Sequence, residues 1–319
     1  MPMIWMLSIL ACSVAEPPAA SAPATEQPDD SNSTVTHAGA TVVVHYENGL
    51  PQMGKAATEE YVLNAMRATT AWYGAFPMER ADVFITVKRG EGMWSASAWG
   101  GLHPHVRMNM GRASTADDCA DDWKLPHEMI HLGVPEVPRQ NHWLEEGIAT
   151  YAEPWGRVQT DQLTANKAWY DLVQGLPNGT PKVGDRGLDH TPSWGRTYWG
   201  GALFCLLADI EIRTQSGNTK GLQHALAGVV AAGGNIGHHW SMDRILSTGD
   251  KATGTTGLVD TYTAMKDTPH PVDLAAMWRQ LGVVLKGKTV RFDDDAPLAH
   301  IRRGITAGDA QSGTKLAAP

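Results

Sequence analysis

His127-Glu128-Met129-Ile130-His131 is the stretch that decides the fold of this chain, and it matches the pattern H-E-x-x-H. On a helix, residues four positions apart lie on one face, so the two imidazoles can both reach one metal ion. Glu128 lies beside that face, where its carboxylate can take a proton from a water next to the metal. The stretch therefore predicts a helix that carries two zinc ligands and a general base.

A catalytic zinc site needs a third protein ligand and leaves one position open for water. The segment Trp143-Leu144-Glu145-Glu146-Gly147-Ile148-Ala149-Thr150-Tyr151 follows the motif after a short interval. Glu146 stands 15 residues after His131 (146 − 131), which leaves room for a turn and a second helix packed against the first. The third ligand is expected to be a carboxylate or another His in this region, and the residues alone leave Glu146, Glu145 and His142 open.

The bulk composition limits the other functions that the chain can have. The 319 residues are 42% hydrophobic, which suits one large domain or two closely packed ones. The net charge of −8 argues against nucleic acid as the main partner. No run of about 18 apolar residues occurs, so no transmembrane helix is expected. We expect a monomer that acts on a peptide or protein substrate.

The amino terminus predicts export. Residues 1–11 are short and apolar, and Ile9-Leu10-Ala11-Cys12 resembles a bacterial lipobox, which predicts a signal peptide over residues 1–12 and lipidation of Cys12. Residues 13–38 are predicted to be a disordered tether, since residues 13–33 are rich in Ala, Pro, Ser, Asp and Glu. No Lys or Arg precedes the apolar run, so an ordinary cleaved signal or a misplaced start codon stays open.

These features predict a protein of the bacterial cell envelope. A lipid on Cys12 would anchor it to a membrane, facing the periplasm or the exterior; without the lipid it would be secreted. The two remaining cysteines, Cys119 and Cys205, would then lie where a disulfide can form. Cys205 falls in an apolar helical run, where a buried free thiol is an equal alternative.

The remaining chain divides into a sheet lobe, about residues 39–117, and a helical lobe, about residues 118–319. Alternating and β-branched segments predict strands at 41–46, 81–88, 94–99 and 105–110, and a helical spacing predicts a helix over 56–73. Asp121 and Asp122 are candidate caps of the motif helix, and Asn141 is a candidate cap of a helix over 143–153 that Pro154 stops. Mostly helical segments follow, and a last strand is predicted at 289–292. The fold class is therefore α+β, with a cleft between the lobes.

The second motif helix resembles a known superfamily. Trp143-Leu144-x-Glu146-Gly147-x-Ala149-x-Tyr151 is similar to the corresponding motif of the gluzincin zinc peptidases. The resemblance implies a thermolysin-like zincin fold, Zn²⁺ as cofactor, and Glu146 as third ligand in place of Glu145 or His142. It extends over roughly residues 41–282, and it is specific at the two ligand helices.

Tyr198-Trp199-Gly200-Gly201-Ala202 is similar to the Tyr-x-Lys-Gly-Ala segment of the aminopeptidase N and glycyl aminopeptidase families. The resemblance implies that the hydroxyl of Tyr198 donates a hydrogen bond to the oxyanion of the tetrahedral intermediate. Gly200 stands where those families have Lys, so the match is partial.

Gly100-Gly101-Leu102-His103 resembles the Gly-Gly-Leu-Glu-His segment of the glycyl aminopeptidase family. It implies that Gly100, Gly101 and Leu102 bind substrate along an edge strand. His103 and Pro104 stand where that family has the Glu that can hold a free amino terminus. An endopeptidase or an unusual exopeptidase is therefore at least as well supported as an aminopeptidase.

The prediction from the whole sequence is a zinc-dependent metallopeptidase that uses Glu128 as general base. A gluzincin-fold lipoprotein that binds or assembles without turnover is the alternative, and a structural zinc site is a weaker one. His190 is a further candidate for the wall of the cleft, and Thr150 is a candidate for contact with the ligands.

Overall fold

The sheet lobe begins one strand earlier than predicted. A computed structural model describes residues 32–308, and in it Asn32–His37 forms β1, which pairs antiparallel with β2 (Ala40–Glu47). Positive φ angles at Ala38 and Gly39 make the tight hairpin turn between them. The predicted tether is therefore wrong for residues 32–38, because the β-branched residues Thr34, Val35 and Thr36 favour a strand and pair with β2. The rest of the tether, the signal peptide and Cys12 lie outside the described residues.

The five-stranded sheet of this lobe is mixed. Its order is β1-β2-β3-β5-β4, with β3 at Arg80–Lys88, β4 at Met93–Trp99 and β5 at His105–Gly111. The three central strands run parallel, while β1 and β4 are antiparallel to their neighbours. β4 ends the sheet on one side, so one row of its backbone N–H and C=O groups points away from the sheet.

Alternating side chains on the central strands form one apolar face. Val42, Val83, Val106 and Met108 are fully buried there. This face packs on α1 (Gly54–Tyr73) and on apolar residues of α3 (Lys124–His131), which joins the first motif helix to the sheet.

The helical lobe has its own core, built around α4 (His142–Gln159) and α6 (Gly201–Gln215). Its largest buried side chains include Tyr151, Trp155 and Phe204. The other helices are α2 (Ala116–Asp121), α5 (Ala165–Gly175), α7 (Leu222–Ala231), α8 (Met242–Thr253), α9 (Gly257–Met265), α10 (Leu274–Leu281) and α11 (Ala299–Ala307). The hairpin of β6 (Val283–Lys286) and β7 (Thr289–Phe292) adds a two-stranded sheet.

One of the predicted helix ends was wrong. Pro154 does not stop α4, which continues to Gln159. An internal proline costs about 3 kcal/mol, and burial of Trp155 and the neighbouring turns of α4 offsets that cost. Asn141 occupies the N-cap position of α4 as predicted, but its side chain makes no capping hydrogen bond, and its amide donates to Asp189. Asp122 does act as a cap, since its carboxylate accepts the backbone N–H of Leu125 at 3.1 Å.

Two further findings concern the cysteines and the apolar helices of the described residues. Cys119 and Cys205 are both buried free thiols, and they belong to different cores. Among residues 32–308, no helix is both long and apolar enough to cross a membrane.

Candidate metal centre

Three potential ligands meet where α3 faces α4. One donor atom from each of His127, His131 and Glu146 lies within 4.8 Å of the other two. His127 Nε2 and His131 Nε2 lie 3.3 and 3.6 Å from Glu146 Oε2. Ligands held tetrahedrally at zinc distances lie roughly 3.3 Å apart. The donor set and its spacing therefore fit a zinc ion with one position left for water.

The charge of Glu146 suits a cation at this point. Burial alone would raise the pKa of its carboxyl group, but hydrogen bonds with His127, His131 and His142 hold that pKa well below its usual range. Burial also acts to lower the pKa of His131, and the neighbouring Glu146 outweighs it and raises that pKa. Glu146 is thus ionised at neutral pH, as a metal ligand must be.

Glu145 and His142, the two alternatives for the third ligand, lie outside this cluster and hold Glu146 in place. Glu145 accepts the backbone N–H of Val137 at 2.8 Å and contacts His142 Nδ1 at 2.5 Å. The other nitrogen of His142 lies 3.4 Å from Glu146 Oε1. Hydrogen bonds with the two carboxylates raise the pKa of His142 to about 10. The pair therefore forms a second layer around the ligand.

Glu128 lies between the metal centre and the edge of the sheet. Its carboxylate accepts the backbone N–H of Ala98 on β4 at 2.7 Å. Backbone groups alternate in direction along an antiparallel strand, so the N–H and C=O of Ala96, two residues before Ala98, also point into the cleft. The cleft between β4 and α3 has a volume of about 490 Å³. A peptide lying along β4 would pass within reach of both Glu128 and the metal centre.

The residues predicted to bind substrate lie at one end of this strand. Gly100 lines the cleft, whereas Gly101 and Leu102 are outside its lining, and Leu102 is 95% exposed. A Cβ on Gly100 would lie 2.1 Å from the carbonyl oxygen of Ile236 and 2.4 Å from Glu136 Oε1, so only glycine fits. The sequence reasoning missed the part of β4 that faces the cleft, although the small residues Ser95 to Ala98 were a usable signal.

Glu136 is a cleft residue that the sequence reasoning did not single out. It follows α3 in the chain and lines the cleft beside Gly100. A backbone bridge to His239 holds the segment, and the two side chains form an ion pair at 2.8 Å. No local motif marks this position, because the loop of His239 lies about 100 residues downstream in the chain.

Tyr198 lies on the opposite wall, in a π-helical turn at Arg196–Gly200 that leads into α6. Burial, and then the charges of Glu146 and Glu128, raise its pKa to about 12, so its hydroxyl stays protonated and can donate. The turn comes close to the three candidate ligands because α4 and α6 meet at two glycines, Gly147 and Gly201. A Cβ on Gly147 would lie 2.4 Å from the backbone of Gly201.

Two candidates named from the sequence lie outside the cleft. His190 pairs with Asp267 at 2.9 Å and is not among the residues that line it. Thr150 lines an adjoining chamber below α4. Among the hydrogen bonds of the described residues, none joins the Thr150 hydroxyl to a candidate metal ligand.

Known proteins match this chain in structure and not in sequence. No protein-family model and no curated protein matches it. An aminopeptidase N family protein from Idiomarina loihiensis matches 80% of this chain with a TM-score of 0.60 and 13% identity. An M1 zinc metallopeptidase from Deinococcus radiodurans matches 76% with a TM-score of 0.46 and 18% identity. This chain spans 49% and 53% of those two chains.

The first of these matches identifies the fold. The mixed five-stranded sheet and the surrounding helices share their fold with the matched part of that aminopeptidase N family protein, which agrees with the fold that the resemblance implies. The details of the two lobes, and the chemistry of the site, rest on this chain's own residues.

Proposed function

We propose that this chain is a zinc-dependent metallopeptidase that hydrolyses peptide bonds. The convergence of His127, His131 and Glu146 within 4.8 Å, beside Glu128 and an exposed strand edge, carries the proposal. The same position therefore offers metal ligands, a general base and a backbone platform for a peptide.

His127, His131 and Glu146 would hold the zinc ion. When bound there, zinc would act as a Lewis acid that lowers the pKa of a water and polarises the substrate carbonyl. The ionised Glu146 and its partners His142 and Glu145 keep the third ligand in a fixed position.

Glu128 acts as the general base. It removes a proton from the attacking water and then gives that proton to the amine that leaves. The N–H of Ala98 holds one carboxylate oxygen at 2.7 Å, which fixes the direction in which Glu128 points.

Tyr198 supplies a neutral donor on the far wall. Its raised pKa keeps the hydroxyl protonated at neutral pH, so it can donate to the oxygen on which negative charge develops. The Gly147–Gly201 contact brings the turn of Tyr198 towards the helix that carries Glu146.

The test uses the purified chain with a library of internally quenched peptides. We expect hydrolysis that a chelator abolishes and zinc restores. His131→Ala should lose zinc by metal analysis, and Glu128→Gln should keep zinc while losing hydrolysis. A chain that binds zinc but cleaves no member of the library would instead support a gluzincin-fold protein that binds peptides without turnover.

We also propose that the protein is exported and carries a lipid on Cys12, on the strength of the lipobox-like segment Ile9-Leu10-Ala11-Cys12. Expression in a bacterial host with labelled palmitate tests this. The wild-type chain should incorporate label and partition into detergent, and Cys12→Ser should do neither. Equal labelling of both would contradict the proposal.

A further inference from the structure

A buried ion pair lies behind the turn that carries Tyr198. Arg196 opens that turn, and its Nε lies 2.9 Å from Oδ2 of Asp185, with both side chains almost fully buried. The desolvation of two charges often cancels their mutual attraction, so apolar side chains of similar volume could stabilise this interior equally well. What the pair adds is a set of directional contacts at one point of the fold.

The guanidinium of Arg196 joins the turn to two segments of the chain that precede it. Its Nη1 donates to the carbonyl oxygen of Gly179, and its Nε faces Asp185. Asp185 is itself held in place, because its Oδ1 accepts the backbone N–H of Gly187 at 2.9 Å. A single side chain therefore fixes the turn against both Gly179 and the segment 185–187.

The backbone of the turn also packs closely on the residues around Gly179. A Cβ on Gly179 would lie 2.2 Å from the carbonyl carbon of Trp199. A Cβ on Gly195, just before the turn, would lie 2.4 Å from the carbonyl oxygen of Asn178. Because backbone lies against backbone at both places, a shift of either segment would displace the turn.

Arg196 and Tyr198 leave the turn in opposite directions. Successive residues of a helical turn are roughly 100° apart, so side chains two positions apart point to opposite sides. Tyr198 lines the metal cleft, whereas Arg196 is 3% exposed and does not line it. The ion pair thus holds the turn from behind while Tyr198 faces the candidate ligands.

The space behind the turn is filled by Arg196. A Cβ on Gly200 would lie 3.2 Å from Arg196 Nη1 and 3.0 Å from Cδ2 of Leu188. Gly200 stands where the aminopeptidase N and glycyl aminopeptidase families have Lys. In this chain the turn therefore carries its cation at position 196 instead of position 200.

The hydroxyl of Tyr198 needs a fixed place for the role proposed above. It lies within hydrogen-bonding reach of Glu146, and a donor stabilises an oxyanion only when it is aimed at the point where charge develops. A misplacement of about 1 Å in a reacting group can cost on the order of 10²-fold in rate. The reaction therefore depends on what fixes the turn.

We infer that Arg196 and Asp185 are positioning residues that set the place of the Tyr198 hydroxyl in the metal cleft. The inference rests on the proposed peptidase function, in which this hydroxyl donates to the oxyanion. Neither Arg196 nor Asp185 lines the cleft, so both act through the turn and have no contact with substrate.

The kinetic test is a double-mutant cycle in the full chain loaded with zinc. Arg196→Lys keeps the charge and loses the fork of donors, so it should lower kcat about tenfold and change KM less than twofold. In the Tyr198→Phe background the same substitution should lower kcat less than twofold, because the hydroxyl that it displaces is absent. Equal losses in the two backgrounds would overturn the inference, since they would show that Arg196 acts independently of Tyr198.

Asp185→Asn provides a second variant, because it keeps the volume and the acceptor for the N–H of Gly187 while it removes the charge. It should lower kcat about fivefold, with the same dependence on the Tyr198 hydroxyl. Arg213→Lys is the matched control, since Arg213 Nε and Asp209 Oδ1 form another buried pair at 2.8 Å, on α6. The control should lower the free energy of unfolding in urea and leave kcat within twofold of the wild type. A loss of kcat as large as that of Arg196→Lys would assign both effects to stability and overturn the inference.

A spectroscopic measurement tests the position of Tyr198 without hydrolysis. The chain has 7 Tyr, and labelling with fluorotyrosine gives each of them a ¹⁹F resonance, of which Tyr198→Phe identifies one. Arg196→Lys should shift or broaden the Tyr198 resonance, and Arg213→Lys should leave it unchanged. If the wild type cleaves no peptide, this shift would still support the positioning role, and only the peptidase proposal would fail. An unchanged Tyr198 resonance in Arg196→Lys would overturn the inference whether or not the wild type is active.

Discussion

The metal centre and the substrate walls of the same cleft are built in opposite ways. At the metal centre, His127 and His131 are buried and Glu146 has partners on both carboxylate oxygens. Along the walls of the cleft and of the adjoining chamber, Trp99, Trp123 and Trp194 are each at least half exposed. Under the proposed function, the difference separates two tasks: fixed geometry would serve the reaction, and open surface would serve the choice of substrate. Changes at the centre should lower activity on every peptide, and changes in the walls should act on some peptides only.

The strongest test of this division is Glu128→Gln. Loss of the general base should reduce kcat on the order of 10³-fold for every peptide, because all substrates need the same proton transfer. Zinc content should stay at the wild-type level, since Glu128 is not among the three converging ligands. Steady-state kinetics on peptides of different sequence, together with metal analysis of the variant, checks both points. A loss that differed widely between the peptides would break the division.

The same division explains which parts of the site could be predicted from the sequence. The ligands His127 and His131 are set by a four-residue helical spacing, and Glu146 follows on the next helix, so local patterns were enough to bring them together. β3 was predicted because Val83, Ile85 and Val87 alternate as a half-buried strand does.

The walls could not be predicted in this way. Glu136 reaches the cleft through a bridge to His239, and the chamber joins α4 to the turn of Tyr198. Such contacts between distant segments leave no periodic signal in the sequence. β1 is a different case, since its β-branched residues Thr34, Val35 and Thr36 favour a strand, and the predicted tether extended too far along the chain.

Gly147→Ala tests how rigidly the centre is joined to the wall that carries Tyr198. The added methyl would lie 2.4 Å from the backbone of Gly201, which cannot move as a side chain can. Overpacking of this kind costs about 3 kcal/mol, roughly a hundredfold change in the unfolding equilibrium. We expect a lower free energy of unfolding in urea and lower activity on all peptides. Wild-type stability would show that α4 and α6 are not held together at this point.

Tyr198→Phe removes the hydroxyl and keeps the ring. Loss of one oxyanion donor should lower kcat by about 10²-fold with little change in KM, since the bond strengthens as charge develops. The ring also lines the adjoining chamber and stays in place, so the relative rates on different peptides should be retained. If KM rose while kcat stayed constant, Tyr198 would belong to the substrate wall alone.

Glu136→Gln should have the smallest effect and the most selective one. Its carboxylate lines the cleft beside Gly100, where it can attract the free amino terminus of a short peptide. The variant should lower kcat/KM a few-fold for peptides with a free amino terminus and leave acetylated peptides nearly unaffected. His239→Ala is the matched control of opposite sign, because it removes the cation that lies 2.8 Å from this carboxylate. It should raise the preference for free amino termini, and a shift in the same direction as Glu136→Gln would show that the pair acts only to hold the loop.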